Sequence, residues 1–460
     1  MSRGSESPPA TLALSISSGK QGARVAPAAL ITTTLARWTY STLALLTLPA
    51  WLARLWWRGR EHRGWRLRWH ERLAFGGKRA TPGALWLHAE TAAEVKEVGV
   101  LMAALRRLNP SWRYLLTHGE AEGRADGIAL LKPGDTQAWL PFDTPGAARR
   151  FFRRHQPRVG VLMECLPRPN LLHRAACAGV PMMMANARLS AADLGAVERR
   201  RALLAPGYRS LLLVLAQSNA DAQRLARAGA QHVRVFGNLR FDVEPPLKLV
   251  ARGLEWRQAT SRHVVLAAGT REGEEGPLLD AWCALPVPRP LLVIVPHRAR
   301  RLAKIGFAVR ERGLVLRRRS NWGALPPADV CGADVWLGDK PGEMAMYYGM
   351  ADVTLLGGSF EPRHGGQNLI EASACGCPVL MGPHTSEHEN IADLAIGAGA
   401  AERVGNIAVA VRHAARLAAD PRRDAWVRNA FAFTTAHRGT VERVVAALLA
   451  LITTRSSQAR

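Results

Sequence analysis

The sequence predicts an α/β protein built from two parallel-sheet domains, preceded by a membrane-anchoring segment. Three observations carry this reading. From Ala84, short apolar runs alternate with helical stretches: ALWLHA, then ETAAEVKEVGVLMAALRRLNP, then YLLTHG. Such alternation places strands side by side in a parallel sheet with helices on its faces. A second series of the same kind opens at HVVLAAGTREGEE, beyond Pro245-Pro246, which reads as a hinge. The third observation is WTYSTLALLTLPAWLA, Trp38 to Ala53, an uncharged run between Arg37 and Arg54. The expected divisions are a disordered 1–28, an anchoring 29–79, a first domain over 80–244 and a second over 260–460.

The 460 residues suffice for two or three domains, each with its own core. A net charge of +25 suits an anionic surface. Only seven of the 62 basic residues are lysines, and the charge is dispersed through both domains. Nucleic-acid binding would need it gathered on one face with stacking aromatics, so no nucleic-acid partner is expected. Six scattered cysteines without a CxxC pair fit a reducing cytosol. His384 and His388 are four apart but in a loop, outside any HExxH helix, and no metal site is expected.

At the N-terminal end, residues 1–28 are rich in Ser, Gly, Pro and Ala. The apolar run that follows is short for a spanning helix and is interrupted by Pro49. No small-residue cleavage site follows it, so it is not a signal peptide. It continues into RLWWRGREHRGWRLRWHERL, where Trp51, Trp56, Trp57, Trp65 and Trp69 alternate with arginines. That mixture suits a lipid headgroup layer. An amphipathic helix packed on the protein is the alternative.

In a parallel sheet, ligands gather beyond the carboxyl ends of the strands. His88, Glu90 and Glu94 follow the first strand, and Glu94 falls in a first helical turn that favours its carboxylate. It either caps that helix or takes part in chemistry. Glu164 ends another buried strand. In the second domain, capping accounts for Glu274 and Glu275. LLVIVPHRARR puts His297, Arg298 and Arg301 after a strand, where they could clamp a phosphate or a sugar carboxylate. The most informative stretch is ADVTLLGGSFEPRHGGQNLIEASACGCPVLMGP. A strand, Val353 to Leu356, breaks at Gly357-Gly358. Gly365-Gly366 lead into a helix over Gln367 to Ala374, and a strand over Pro378 to Met381 closes the unit. Uncovered backbone N–H groups there favour a phosphate, and Glu371, one turn beyond Gln367, could reach a sugar diol. A helix from Thr440 to Ile452 is expected to brace the first domain.

GGSF, HGGQNLIE and CPVLMGPH resemble the donor-nucleotide end of bacterial 3-deoxy-D-manno-octulosonic acid (Kdo) transferases. HAETAAE, LPFDTPG, PRVGVLME, NARLS, GNLRFD and Glu71-Arg72-Leu73 continue the resemblance in order. It implies a GT-B fold, with two Rossmann-like domains facing a cleft. It also implies inverting, metal-independent transfer of Kdo from CMP-Kdo to a lipid A precursor (lipid IVA), at the cytoplasmic face of the inner membrane of a Gram-negative bacterium. No cofactor is implied. The expected partners are CMP-Kdo, the lipid A precursor and the anionic inner-membrane surface. By resemblance, Glu94 matches the general base, and Glu164, at the end of its strand, is the other catalytic candidate. The implied donor-binding residues are His297, Arg298, Arg301, Gly338, Glu343, Gly357, Gly358, Ser359, Gly365, Gly366, Asn368 and Glu371.

The chain departs from the family at several of these motifs. Thr91 and Ala93 stand for a serine and a glycine. Leu166 stands for an acid and Arg168 for a tryptophan. Arg240 replaces a lysine, His297-Arg298 inverts the usual order, and Ala299 replaces a proline. A transferase with another CMP-sugar or lipid acceptor, or a non-catalytic membrane-associated protein of this fold, are the other readings.

Overall fold

The computed structural model describes residues 27–61, 63–163 and 166–458. The expected disorder of the N-terminal residues falls almost wholly outside these, although Pro27 and Ala28 already begin a helix. The chain divides into two units, one running to Leu239 and resuming at Gly439, the other spanning Arg240–Arg438.

The first unit holds strands β1 (Leu85–Ala89), β2 (Tyr114–His118), β3 (Thr136–Trp139), β4 (Val159–Met163), β5 (Met182–Ala187), β6 (Leu213–Ala216) and β7 (Val233–Val235). They form one sheet in the order β3-β2-β1-β4-β5-β6-β7, and every pairing is parallel. Side chains alternate across a strand, so Leu85, Leu87 and Ala89 enter one core and Trp86 the other. Trp86 packs there on Phe151 and Phe152. Burial on both faces explains why these strands read as unbroken apolar runs.

The final helix, Thr440–Gln458, extends beyond the expected Ile452. Its Val441, Val444, Val445, Leu448 and Leu451 share a core with Val95, Val98, Leu101 and Leu105 of helix Ala92–Leu108.

The second unit repeats the plan with β8 (Val264–Thr270), β9 (Leu291–Pro296), β10 (Leu316–Arg318), β11 (Val335–Leu337), β12 (Val353–Leu356), β13 (Val379–Met381) and β14 (Ala401–Arg403). Their order is β10-β11-β9-β8-β12-β13-β14, again wholly parallel. Residues Val264, Leu266 and Ala268 face one core while Val265 and Ala267 face the other. In each sheet the winding direction reverses beside the first strand, between β1 and β4 and between β8 and β12. Crevices form at such reversals.

The N-terminal run departs from expectation. It is two helices, Pro27–Leu46 and Leu48–Glu61, with Pro49 in the first turn of the second, where a missing N–H is harmless. Among the described residues no helix is long and apolar enough to cross a membrane. Helix Pro27–Leu46 is also fastened to the sheet domain. Ser41 Oγ donates to Asn170 Oδ1 at 3.0 Å, and the Tyr40 hydroxyl bonds Asp143. Asp143 in turn accepts the Leu171 N–H at 2.8 Å and the Asn170 N–H at 3.2 Å, holding the start of helix Pro169–Cys177. By contrast Leu43, Leu45, Leu46, Trp51, Trp56 and Trp57 are exposed.

The Glu71-Arg72-Leu73 segment locks onto the same unit. Glu71 Oε2 accepts from Arg124 Nη1 at 2.8 Å and from the Trp139 N–H at 3.2 Å. The Arg72 guanidinium lies 3.8 Å from the centre of the Trp139 ring and donates to the Gly119 carbonyl at 2.8 Å.

Candidate active site

Each unit carries a polar cluster where its sheet reverses. In the first, β1 ends at Ala89 and helix Ala92–Leu108 starts three residues later, with Thr91 as its N-cap. The Thr91 hydroxyl accepts the Glu94 N–H at 3.4 Å and donates to Glu94 Oε1 at 3.1 Å. Glu94 Oε2 accepts the Glu90 N–H at 2.8 Å. Thr91 and Glu94 thus cap the helix reciprocally, with the carboxylate on the N–H one residue before the N-cap, and this fixes the buried Glu94 carboxylate at the carboxyl edge of β1. Each carboxylate oxygen can accept more than one hydrogen, so capping does not use up its basic capacity.

Beside it runs a chain of hydrogen bonds that the sequence did not disclose. The Trp86 indole N–H donates to Thr117 Oγ1 at 2.8 Å, and Thr117 lies 3.1 Å from His88 Nδ1. His88 Nε2 and Arg168 Nη2 both reach Glu90 Oε2 at 3.1 Å. Burial would raise the Glu90 pKa, but the His88 hydrogen bond and the charges of Arg168 and Arg72 bring it to about 2. Glu90 is therefore an anion at neutral pH. A Cβ at position 119 would sit 1.9 Å from Glu90 Oε1, so Gly119 provides the space for that carboxylate. Glu164 lies outside the described residues.

In the second unit the strand–loop–helix–strand order holds, but its details differ from expectation. The helix after the glycines is only Ile370–Ala374, not Gln367 to Ala374. Asn368 Oδ1 accepts the Ile370 N–H at 3.0 Å, a local bond that competes with helix for these residues. Gln367 and Glu371 consequently do not share a helical face. Half-buried Glu371 opens the short helix, and Gln367 Nε2 meets His297 Nδ1 at 3.1 Å.

The glycine loop is not uncovered either. Buried Glu274 accepts the N–H groups of Gly358 at 2.8 Å, Phe360 at 3.1 Å and Arg271 at 2.8 Å. Its role is thus wider than a helix cap: an internal carboxylate occupies the anion position of the Gly357–Phe360 turn. Gly357 is required by space, since a Cβ there would lie 2.5 Å from the backbone of Gly269. Ser359 Oγ donates to the Leu356 carbonyl and accepts the Gly382 N–H, tying the loop to the end of β13. Gly365 and Gly366 both have positive φ, and the Gly366 N–H donates to the Gly358 carbonyl at 2.8 Å.

The remaining candidates divide into tethered and untethered groups. Arg301 is gripped by Glu275 through bonds of 3.0 and 2.8 Å and also pairs with Glu272 at 3.1 Å. Glu343 forms a two-bond pair with buried Arg319, both at 2.9 Å. Gly338 lies against Val295 and Tyr347, which a Cβ would approach to 2.7 and 2.9 Å. Partial burial and the neighbouring Arg271, Arg298 and His364 push His297 down to about 4. Among the described residues, the buried Thr270 hydroxyl and Arg271 Nε have no hydrogen-bond partner.

The sequence model of 3-deoxy-D-manno-octulosonic-acid transferases (kdotransferases) matches residues 67–243. A 3-deoxy-D-manno-octulosonic acid transferase of Bordetella pertussis is 41% identical over 424 residues, covering 88% of this chain and 97% of that one. This chain belongs to the Kdo transferase family. The Haemophilus influenzae transferase of the same description is 27% identical, over 89% of this chain and 97% of that one. Among solved structures, Anabaena HepE in complex with UDP-glucose superimposes with a TM-score of 0.55 at 14% identity, covering 80% of this chain and 99% of that one. That likeness concerns the fold alone: two parallel-sheet units of the GT-B glycosyltransferase class.

Within the family, the departure at Arg168 now has a structural partner. Its guanidinium is paired with Glu90, so the positive charge gained at 168 meets a carboxylate at the edge of β1. Leu166, where the resemblance implies an acid, is exposed.

Proposed function

We propose that this glycosyltransferase moves Kdo from CMP-Kdo onto a lipid A precursor, lipid IVA, at the cytoplasmic face of the inner membrane. The observation that carries the reading is the 41% identity with the Bordetella pertussis Kdo transferase across 97% of that protein. The first unit binds the acceptor and the second the donor. Glu94 takes the proton of the attacking hydroxyl as that oxygen bonds the anomeric carbon. The bond from this carbon to the phosphate oxygen breaks in the same step, inverting the centre and releasing CMP. Cationic groups at the carboxyl ends of β8 and β9 stabilise the departing phosphate. The chemistry needs no metal, because CMP already leaves as a stable anion.

The exposed tryptophans of helix Leu48–Glu61 and its arginines suit an interfacial position on anionic lipid. A different lipid acceptor is the second reading, and the Glu90–Arg168 pair at the acceptor-side edge favours it. Purified protein assayed with CMP-Kdo and a tetraacylated lipid A precursor separates the two. Transfer to that precursor supports the first. CMP-Kdo binding without transfer, but with turnover on another lipid, supports the second.

A further inference from the structure

Glu274 already takes the Gly358 and Phe360 N–H groups, so the first glycine turn offers little to an external anion. The side chains around the turn offer more. Arg271 follows the last residue of β8, and among the described residues neither its buried Nε nor the buried Thr270 hydroxyl has a partner. Arg301 and Arg319 of the same unit are held by carboxylates. Among the described residues no carboxylate pairs with Arg271, Arg298, His297 or His364. A Cβ on Gly358 would lie 3.4 Å from Arg271 Nε and 3.5 Å from His364 Cβ, so both side chains flank the turn. His297 Nδ1 accepts the Gln367 amide hydrogen, which leaves its Nε2–H as a donor. Arg271, Arg298 and His364 all lie near enough to His297 for their charges to act on it, so these basic side chains cluster beside the turn with the Thr270 hydroxyl. The guanidinium charges repel one another, and an anion relieves that repulsion.

We propose that Arg271, assisted by the Thr270 hydroxyl and the His297 Nε2–H, holds the phosphate of the donor nucleotide, which is therefore read by side chains rather than by the glycine-turn backbone. This rests on the donor assignment above. The test compares binding of CMP, cytidine and inorganic phosphate by calorimetry, in the full chain and in Arg271→Gln. The parent is expected to prefer CMP to cytidine. In Arg271→Gln that preference should fall at least tenfold, with cytidine affinity within twofold of the parent. If CMP binds the parent and the preference survives in the variant, this proposal is overturned while the donor reading stands. If CMP does not bind the parent but phosphate does, and Arg271→Gln abolishes it, the anion site stands and the donor reading fails. If none of the three binds, both fail. Should Arg271→Gln not fold, Arg271→Lys carries the test: it keeps the charge but loses the fork. A preference reduced at least threefold supports the proposal, and an unchanged one overturns it.

Discussion

Glu94 joins two roles in one carboxylate, and substitution can separate them. In Glu94→Gln the amide oxygen can still accept the Glu90 N–H, but the amide nitrogen cannot accept from the Thr91 hydroxyl. Folding should weaken by about 1 kcal/mol, the scale of one cap interaction. Turnover should fall by at least about 10²-fold, since an amide cannot take the acceptor's proton. Turnover within a few-fold of the parent, beside a lowered melting temperature, would make Glu94 a cap only. Glu274 gives a sharper structural prediction. Glu274→Ala leaves three N–H groups of the turn without their acceptor. The expected loss is about 2–4 kcal/mol together with weakened CMP binding. Melting temperature and calorimetry measured on one preparation check both effects.

At the scale of elements, the N-terminal helices do two jobs. Helix Pro27–Leu46 turns Tyr40 and Ser41 to the sheet domain while Leu43, Leu45 and Leu46 remain exposed. Removing residues 1–57 should therefore release the protein from anionic vesicles and also lower the stability of the first unit, because Asp143 loses Tyr40 and Asn170 loses Ser41. The point substitution Tyr40→Phe isolates the second effect. It should cost about 1–2 kcal/mol for a hydrogen bond to a carboxylate and leave vesicle binding unchanged. A melting temperature identical to the parent's would show that the helix is merely apposed.

At the scale of the molecule, buried histidines set an acid limit on stability. Burial, then the charges of His88 and Arg124, push His118 down to about 3. Burial and Arg154 push His155 to about 4, and its Nδ1 accepts the Ala80 N–H at 3.3 Å. An unfolded histidine titrates near 6.5. Between that value and about 4 the unfolded chain binds protons that the native chain refuses, so this stability is complete above 6.5 and lost on acidification. Buried Glu274, whose pKa is raised by burial, acts in the opposite sense. The contribution of one histidine is therefore best read by difference. Between pH 6.5 and 4.5 the parent should lose about 1–2 kcal/mol more than His155→Gln in urea denaturation. Parallel losses would refute the assignment.

The apolar runs of β1, β4, β8 and β12, and the glycines between them, were enough to define two parallel sheets and the edge where ligands collect. Strand burial on both faces requires near-continuous apolar sequence, and the positive φ of Gly358, Gly365 and Gly366 suits a residue without a side chain; both constraints are local. Glu94, His297, Arg298 and the glycine loop were thus legible by position. Their partners were not. Arg168 meets Glu90 across 78 residues, and Glu274 reaches Gly358 across 84. Ser41 finds Asn170 across 129. Periodicity and spacing constrain residues a few positions apart, while a carboxylate's partner depends on which loops the sheet order brings together. Whether Arg301 stands ready for a phosphate or is held by Glu275, and whether the glycine turn is open or filled by Glu274, was therefore decided only by tertiary structure.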